Sequence, residues 1–452
     1  MFEIKGKHTT AKIFLDGGVE ESCLKQIIYF INHPHFEKPV AIMPDCHAGK
    51  GSVIGFTMPL GTNVIPNVIG VDIGCGMRTI KFGAHLPHVC YKDETFLAML
   101  NHQIRKLIPF GFNIRKEDDC SILSYFNSNF PFEATTRKLE GFTQIFNRRY
   151  NVDYRAIEYN HAWFKQTCER VGTDTAKVIR SIGTLGGGNH FIELGQSKNN
   201  PTDYYLTIHT GSRNFGSRVC KYWQQLATKR KKDKFFGTLE EEIERIKAMY
   251  SDKRLWEPAI KKAKHGRSGL KATDFDSLVG KDMYNYLVDM IFTQAFAEFN
   301  RFVIGDIILS DVLDSYDDST INTIHNYIGV DMIIRKGAIS AYAGEKVIIP
   351  LNMRDGTLIC TGKGIKEANY SAPHGAGRTL SRSQARKNLD LETAKKEMAG
   401  IYCNLNSNSL DEAPGAYKDT ATIIDAIKPL VDIVDWIKPI LVLKDNKEGK
   451  DK

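Results

Sequence analysis

The sequence predicts an α+β fold, and three observations carry that reading. Short β-branched runs punctuated by glycine and proline fill the first 80 residues and return after Asp318. Between Cys220 and Ile304 lies a long stretch with helical spacing whose front half is highly charged. Strand-like and helical segments do not alternate regularly, which argues against a doubly wound parallel sheet. Because glycine-rich motifs recur on both sides of the helical stretch, the expectation is one composite domain over 1–452, with mixed sheets and a mostly helical insertion at about 220–304.

Taken in order, Val40 to Met43, Val53 to Met58, Val64 to Ile69 and Met77 to Phe82 read as strands joined by tight loops. From Asp93 to Glu169 the spacing is helical; Val178 to Ile182, Phe191 to Leu194 and Tyr204 to His209 read as strands again. Within the helical stretch, Lys229-Arg230-Lys231-Lys232 and the run from Lys261 to Arg267 read first as a solvated face, with nucleic-acid contact as the alternative. An acidic turn at Asp311 to Asp318 precedes strands at Val330 to Ile334, Lys346 to Ile349 and Leu358 to Thr361. The last 60 residues read as helical, closing on a short strand at Ile440 to Leu443. No fixed-period repeat or low-complexity linker interrupts the chain.

With 452 residues, 42% hydrophobic and 25% charged, the composition excludes a disordered chain, collagen and a coiled coil. Lys plus Arg at 61 against Asp plus Glu at 53 leaves +8, which permits a polyanionic partner without requiring one. Nine cysteines make an odd number without a C-x-x-C pair, and the opening residues lack the apolar stretch of a secretory signal. Reduced thiols and a cytoplasmic location are the expectation, with Cys90, Cys168 and Cys403 as small buried hydrophobes. The most apolar stretch, Met283 to Leu309, contains Asp289, Glu298, Arg301 and Asp306, so it does not form a bilayer span.

Absences narrow the chemistry. The P-loop pattern and H-E-x-x-H are missing, and Met353 stands where the lysine of a K-x-D-G ligase motif would precede Asp355-Gly356. Present instead are five glycine-flanked motifs: Met43-Pro-Asp45-Cys-His47-Ala-Gly49, Gly70-Val-Asp72-Ile-Gly74-Cys75-Gly76-Met77, Gly188-Asn189-His190-Phe191-Ile-Glu193, His209-Thr-Gly-Ser212-Arg213 and His374-Gly-Ala-Gly-Arg378. His325-Asn326 adds an imidazole outside a glycine setting. Any one of these histidines is more often structural than a ligand, but four of the five lie within two residues of a glycine, a setting that independent structural roles would not be expected to repeat. Asp72 and Cys75, three apart in a loop that glycine lets turn tightly, can converge on one ion, and a thiolate, a carboxylate and several imidazoles suit zinc or manganese. The ligand count stays open at this point. Arg213, Arg378 and Arg382 follow motif histidines and can hold phosphate as well as structure.

These motifs, with Arg335-Lys-Gly-Ala338 and Tyr417-Lys-Asp419, resemble in order the signatures of the RtcB family of RNA-splicing ligases, from about residue 40 to Lys444. The resemblance implies an RtcB-like domain around a central metal cleft, and an enzyme that joins RNA 3′-phosphate or 2′,3′-cyclic phosphate ends to 5′-hydroxyl ends in RNA splicing or repair, with GTP and manganese. It further implies Asp72, Cys75, His190, His209 and His325 as ligands of two Mn(II) ions, Cys75 bridging, and His374 as the nucleophile that carries GMP. Asn189, Phe191 and Glu193 would line the nucleotide pocket, Tyr417 and Lys444 would lie at guanine, and Arg213, Arg378 and Arg382 would hold phosphates. RNA is the implied partner, no membrane is involved, an accessory activator is compatible, and a monomer is the default assembly.

One loop departs from the family's usual Pro-Gly-Ser-Met-Gly: here it reads Pro350-Leu351-Asn352-Met353-Arg354-Asp355-Gly356-Thr357. Asn352 or Thr357 would replace the serine contact and Arg354 would add a cation, altering nucleotide choice or RNA-end preference. The departure leaves an alternative open, a metal-dependent RNA end-processing phosphoesterase that does not ligate. The basic helical stretch leaves a second, a non-catalytic RNA-binding subunit.

Overall fold

Two mixed β-sheets bring the glycine-flanked motifs together in the computed structural model, which describes residues 1–82, 93–117, 119–250, 252–268 and 271–445. Cys90 lies outside the described residues. The first sheet has six strands in the order Phe2–Lys5, Thr10–Ile13, Val40–His47, Ile54–Pro59, Ile333–Lys336 and Asn326–Ile328. Its centre is Val40–His47, buried over nearly its whole length, as expected for an apolar run covered on both faces. The second sheet runs Asp317–Ile324, Gly76–Phe82, Tyr204–Thr210, Phe191–Ser197, Val431–Leu443, Gly356–Gly362 and Lys346–Asn352, with Tyr402–Cys403 added in parallel to Val431–Leu443. A two-stranded ladder of Ala338–Ser340 and Ser371–Pro373 leads directly into His374.

Helix Gly280–Asp311 is buried on every side along its middle, the pattern of a helix inside a core rather than on its surface. It packs against strands Gly76–Phe82 and Tyr204–Thr210 and helices Phe132–Tyr150 and Arg213–Phe236. Two of the charges that interrupt it are tied to distant segments. Asp289 accepts from Arg170 at 2.7 Å and from the Trp223 indole at 2.6 Å. Arg301 donates to the carbonyls of Gly74 at 3.0 Å and Thr210 at 2.9 Å, tying two motif loops to this helix. Among the described residues no helix is long and apolar enough to cross a membrane.

Four local expectations differ from the structure. At Val64 to Ile69, Asn63–Val64 alone pairs with Leu278–Val279, and Pro66 opens the short helix Pro66–Ile69, a position where its missing N–H costs nothing. The segment Thr175–Ile179 is helical because the Asp174 carboxylate caps it, accepting from the Lys177 N–H at 2.7 Å. Val330 and Asp331 belong to a turn, with Met332 in the left-handed region, and the strand begins only at Ile333. The chain end is less helical than expected: Val431–Leu443 is a 13-residue strand between Phe191–Ser197 and Gly356–Gly362, and its Pro439 is accommodated at a register shift. The seven described cysteines are free thiols; Cys168 is buried and Cys403 half-buried.

Candidate active site

The Gly70–Gly76 loop folds back on itself because Gly70 and Gly74 take φ of 93° and 75°. At Gly74 space is limiting too, since a Cβ would lie 2.9 Å from the Gln294 Cα of the central helix. The turn closes with the Cys75 N–H donating to the Asp72 carbonyl at 3.2 Å, which sets thiol and carboxylate on one side. Sheet register does the rest. His209 sits opposite both Met77 and Phe191, and the His325 N–H donates to the Cys75 carbonyl at 3.0 Å. Four segments far apart in sequence therefore meet at one point.

There the Cys75 Sγ lies 3.5 Å from His190 Nε2 and 3.4 Å from His209 Nε2. His190 Nε2 is 3.1 Å from Asp72 Oδ2, and His209 Nε2 is 3.4 Å from His325 Nε2. The donor atoms form two groups, Asp72–Cys75–His190 and Cys75–His209–His325, that share Cys75, with all donors in each group within 4.8 Å of one another. The His190 Nδ1, 2.9 Å from the Leu185 carbonyl, donates outward so that its Nε2 lone pair faces the cluster. Burial, reinforced by neighbouring histidines, holds His209 and His325 well below the usual imidazole range, the neutral state a ligand needs. Burial and then Asp72 push the Cys75 thiol well up, so its thiolate requires a cation beside it. Burial opposes ionisation of Asp72, but the His190 contact prevails and lowers it. A thiolate, a carboxylate and imidazoles at this spacing fit one or two borderline divalent ions.

The His374 ring is 4.7 Å from the His325 ring, centroid to centroid. Its Nδ1 is 2.6 Å from Oδ2 of Asp45, a carboxylate with no solvent exposure on the buried strand Val40–His47. Lys418 fixes that strand, donating to the carbonyls of Pro44 at 2.9 Å and Cys46 at 2.8 Å. Arg335 steadies the approach to His374 by donating to the Ser371 hydroxyl at 2.9 Å and to Asp331 at 2.8 Å.

Beside His374 opens a cavity of about 260 Å³ lined by Asn189, Phe191, Glu193, His209, Asn352, Arg378, Arg382, Tyr417 and Lys444. Buried Glu412 organises its inner wall. It accepts from Tyr417 OH at 2.6 Å, Lys444 Nζ at 2.9 Å and Arg378 at 3.2 Å, while Arg382 stands 3.4 Å away. Lys444 also lies 5.4 Å over the Phe191 ring. On the facing wall the Thr357 hydroxyl donates to Glu193 at 3.2 Å, and burial raises that carboxyl to about 8.

The Glu193 shift has a measurable consequence. In the unfolded chain this carboxyl ionises near 4.5, so between that pH and about 8 unfolding releases a proton that the folded protein keeps. Its stabilising contribution is full below 4.5 and is lost as pH rises toward about 8. The Glu193→Gln protein should therefore lose less thermal stability than the parent between pH 5 and pH 8. Melting curves across that range check this; equal losses in the two proteins would contradict it.

Not every expected contact forms. Arg213 is absent from the lining of this cavity: its guanidinium donates to Thr184 and to the Gly111 carbonyl, both at 2.9 Å, in an adjacent cleft with Gly187, Gly188 and Asn214. Asn352 lines the cavity, but its amide is engaged in its own turn. The Oδ1 accepts from the Arg354 and Asp355 N–H groups and the Nδ2 donates to Asp355. Arg354 is not a free cation either, since it pairs with Asp355 at 2.9 Å. Sequence reasoning assigned no role to Asp45, although it stands in a quoted motif, nor to Glu412 or Lys418. Asp45 and Lys418 carried a usable signal, Asp45 two residues before His47 in a glycine-flanked motif and Lys418 inside Tyr417-Lys-Asp419, whereas Glu412 stood in no motif.

The chain matches the family described as RtcB, tRNA-splicing ligase RtcB, over residues 26–445. It is 29% identical over 450 residues to the RNA-splicing ligase RtcB1 of Escherichia coli, covering 94% of this chain and 95% of that one. Against the RNA-splicing ligase RtcB of E. coli strain K12 the identity is 29% over 453 residues, with the same coverage of 94% and 95%. A tRNA-splicing ligase RtcB from Methanococcus maripaludis is 25% identical over 454 residues, covering 90% of this chain and 88% of the relative.

Proposed function

The chain belongs to the tRNA-splicing ligase RtcB family, and from that premise we propose that it joins RNA ends bearing a 3′-phosphate or 2′,3′-cyclic phosphate to RNA bearing a 5′-hydroxyl, through GMP carried on His374. The observation that carries this reading is His374 itself. It is held by Asp45 at 2.6 Å, one ring away from the Cys75 cluster, and it faces a cavity whose wall carries aromatic rings and cations.

The Nδ1–H of His374 donates to Asp45, which leaves the Nε2 lone pair free. Nε2 forms a bond to the α-phosphorus of GTP as the bond to the pyrophosphate oxygen breaks, and the proton at Nδ1 and the Asp45 carboxylate balance the charge that develops on the ring. Arg378 and Arg382 hold the phosphates, Phe191 and Tyr417 bracket the base, and Lys444 and Glu193 are the polar groups that read its edge. A cyclic end is first opened by water to the 3′-phosphate with a free 2′-hydroxyl; an oxygen of that phosphate then bonds to the guanylate phosphorus as the Nε2–P bond breaks, and the 5′-hydroxyl attacks the RNA phosphorus, giving its proton to solvent, as GMP leaves. Manganese, held by Asp72, Cys75, His190, His209 and His325, would supply Lewis-acid withdrawal of charge from the phosphate oxygens.

The direct test is ligation of two defined RNA fragments with each combination of 3′-phosphate, cyclic phosphate, 3′-hydroxyl, 5′-hydroxyl and 5′-phosphate ends, with GTP or ATP. Joining of the 3′-phosphate or cyclic end to the 5′-hydroxyl with GTP supports the proposal; opening of cyclic ends without joining or GTP consumption would replace it with the phosphoesterase reading.

Asp45 supplies a second test within the same scheme. An Asp45→Asn protein keeps the side-chain shape but loses the charge that stabilises the ring as it bonds to phosphorus. Guanylylation of the enzyme should slow by roughly 10²- to 10⁴-fold. GTP affinity should change by no more than a few-fold, because Asp45 is buried behind His374 and does not line the cavity. Rapid-quench measurement of adduct formation separates the two quantities.

A further inference from the structure

Helix Arg213–Phe236 begins at the cleft beside the Cys75 cluster and ends among the basic helices of the charged stretch. At 3.6 residues per turn, Asn214, Arg218, Lys221, Gln225, Lys229 and Lys232 recur every three or four positions and share one face. All are exposed except Lys232, which is half-buried, whereas Phe215, Val219, Cys220, Trp223 and Ala227 on the opposite face are buried. The face joins two concavities. Asn214 and Arg218 line the cleft that Arg213 shares with the metal-side glycines, and Gln225, Lys229 and Lys232 line a second one together with Lys264.

Charge on this face is one-signed. The helix holds a single acid, Asp233, and that carboxylate accepts from Arg267 at 2.5 Å. Within the basic run, Arg230 pairs with Asp282 and Lys231 with Asp276, so these two cations serve the fold. Arg218, Lys221, Lys229, Lys232 and Lys264 make no ion pair among the described residues. Like charges at i, i+3 and i, i+4 destabilise a helix. A row of them, unpaired and leading to the cleft adjacent to the candidate active site, is complementary to a polyanion. From Arg218 to Lys232 the row spans about 21 Å, far longer than a nucleotide.

We propose that this face is a track for the RNA backbone: the strand whose end reacts at His374 lays its phosphates along Arg218, Lys221, Lys229 and Lys232 toward Lys264. This rests on the ligase reading for the identity of the polyanion. Lysine and arginine on an exposed helix contact phosphates rather than base edges, so the track adds affinity without sequence preference. It makes affinity depend on RNA length, with short ends held by the active site alone.

The test uses the full chain carrying Lys221→Gln, Lys229→Gln and Lys232→Gln together, since glutamine preserves helix propensity. Fluorescence anisotropy at several salt concentrations compares labelled RNA of about 6 and about 30 nucleotides, lengths below and above what a single groove covers. The parent protein should bind the long RNA more tightly than the short. The triple variant should bind the long RNA at least roughly tenfold more weakly, with a salt slope reduced by about 2 to 3 for three lost phosphate contacts. Its affinity for the short RNA should stay within about twofold of the parent. Equal long-RNA affinity and equal salt slope in the two proteins overturn the track and return the face to solvent or another partner. Ligation of the same RNAs, run in parallel, keeps the two readings apart. A parent that binds in this charge-dependent way yet never ligates refutes the ligase reading and leaves the track standing. A variant that joins short fragments normally but shows a raised KM with unchanged kcat on long ones supports both.

Discussion

His374→Ala should abolish the covalent GMP adduct and lower ligation by at least roughly a thousandfold, the scale on which loss of a nucleophile is felt. The parent, incubated with labelled GTP and manganese, should give an acid-labile and alkali-resistant protein label, as a phosphorus–nitrogen bond requires. The argument is geometric as well as chemical. Among the other imidazoles on the cavity wall, His209 Nε2 is committed to Cys75 and His325 at 3.4 Å each, and the His47 Nδ1 lies 3.0 Å from a carbonyl, that of Asp45, whereas His374 alone has a carboxylate behind its ring to balance the charge of the phosphorylated imidazole. Because His374 is partly exposed and its ring packs against His325 alone among the described rings, the alanine protein should fold and keep its metal. Metal analysis alongside the labelling experiment distinguishes loss of the nucleophile from loss of the site. A full-strength label in the alanine protein would move the covalent step to another residue.

Cys75→Ala should be as damaging by a different route. Cys75 belongs to both donor groups, so its removal takes a ligand from each, whereas His325→Ala removes a donor from only one. Metal content measured after dialysis should fall further in the Cys75 variant than in the His325 variant. Lewis-acid stabilisation of a transferring phosphoryl group is worth several kcal/mol, so ligation should fall by roughly 10³-fold or more in Cys75→Ala. Chelation of the parent should give the same loss, reversed by manganese. RNA binding along the helical face should survive in the variant, since Cys75 is buried and distant in chemistry from the lysines. If the Cys75 variant retained full metal content and rate, the shared-thiolate arrangement would be wrong.

Much of this site was legible before any fold was known. Asp72 and Cys75 are neighbours in a loop whose glycines permit the turn, and the structure places their donor atoms with His190 as expected from residue type. Asp72, Cys75, His190, His209 and His374 lie in the glycine-flanked motifs, and donor atoms of this kind are visible one residue at a time. Arg213 shows the limit. Its motif placed it beside His209, but its guanidinium turns to Thr184 and Gly111 in the adjacent cleft. The Asn352 loop shows another, because the amide expected at the nucleotide is used up in closing its own turn.

The sequence by itself determined which atoms were available for chemistry, the α+β class and membership in a ligase family, since glycine spacing, donor type and strand periodicity are local properties. Tertiary structure alone decided that Asp45 meets His374 across 329 residues, that one buried carboxylate at Glu412 gathers Tyr417, Lys444 and Arg378, and that Val431–Leu443 is strand. It also aligned the helical cations into one face between two concavities. These outcomes rest on sheet register and side-chain packing between distant segments, and a carboxylate buried against an imidazole has no local pattern that announces its partner.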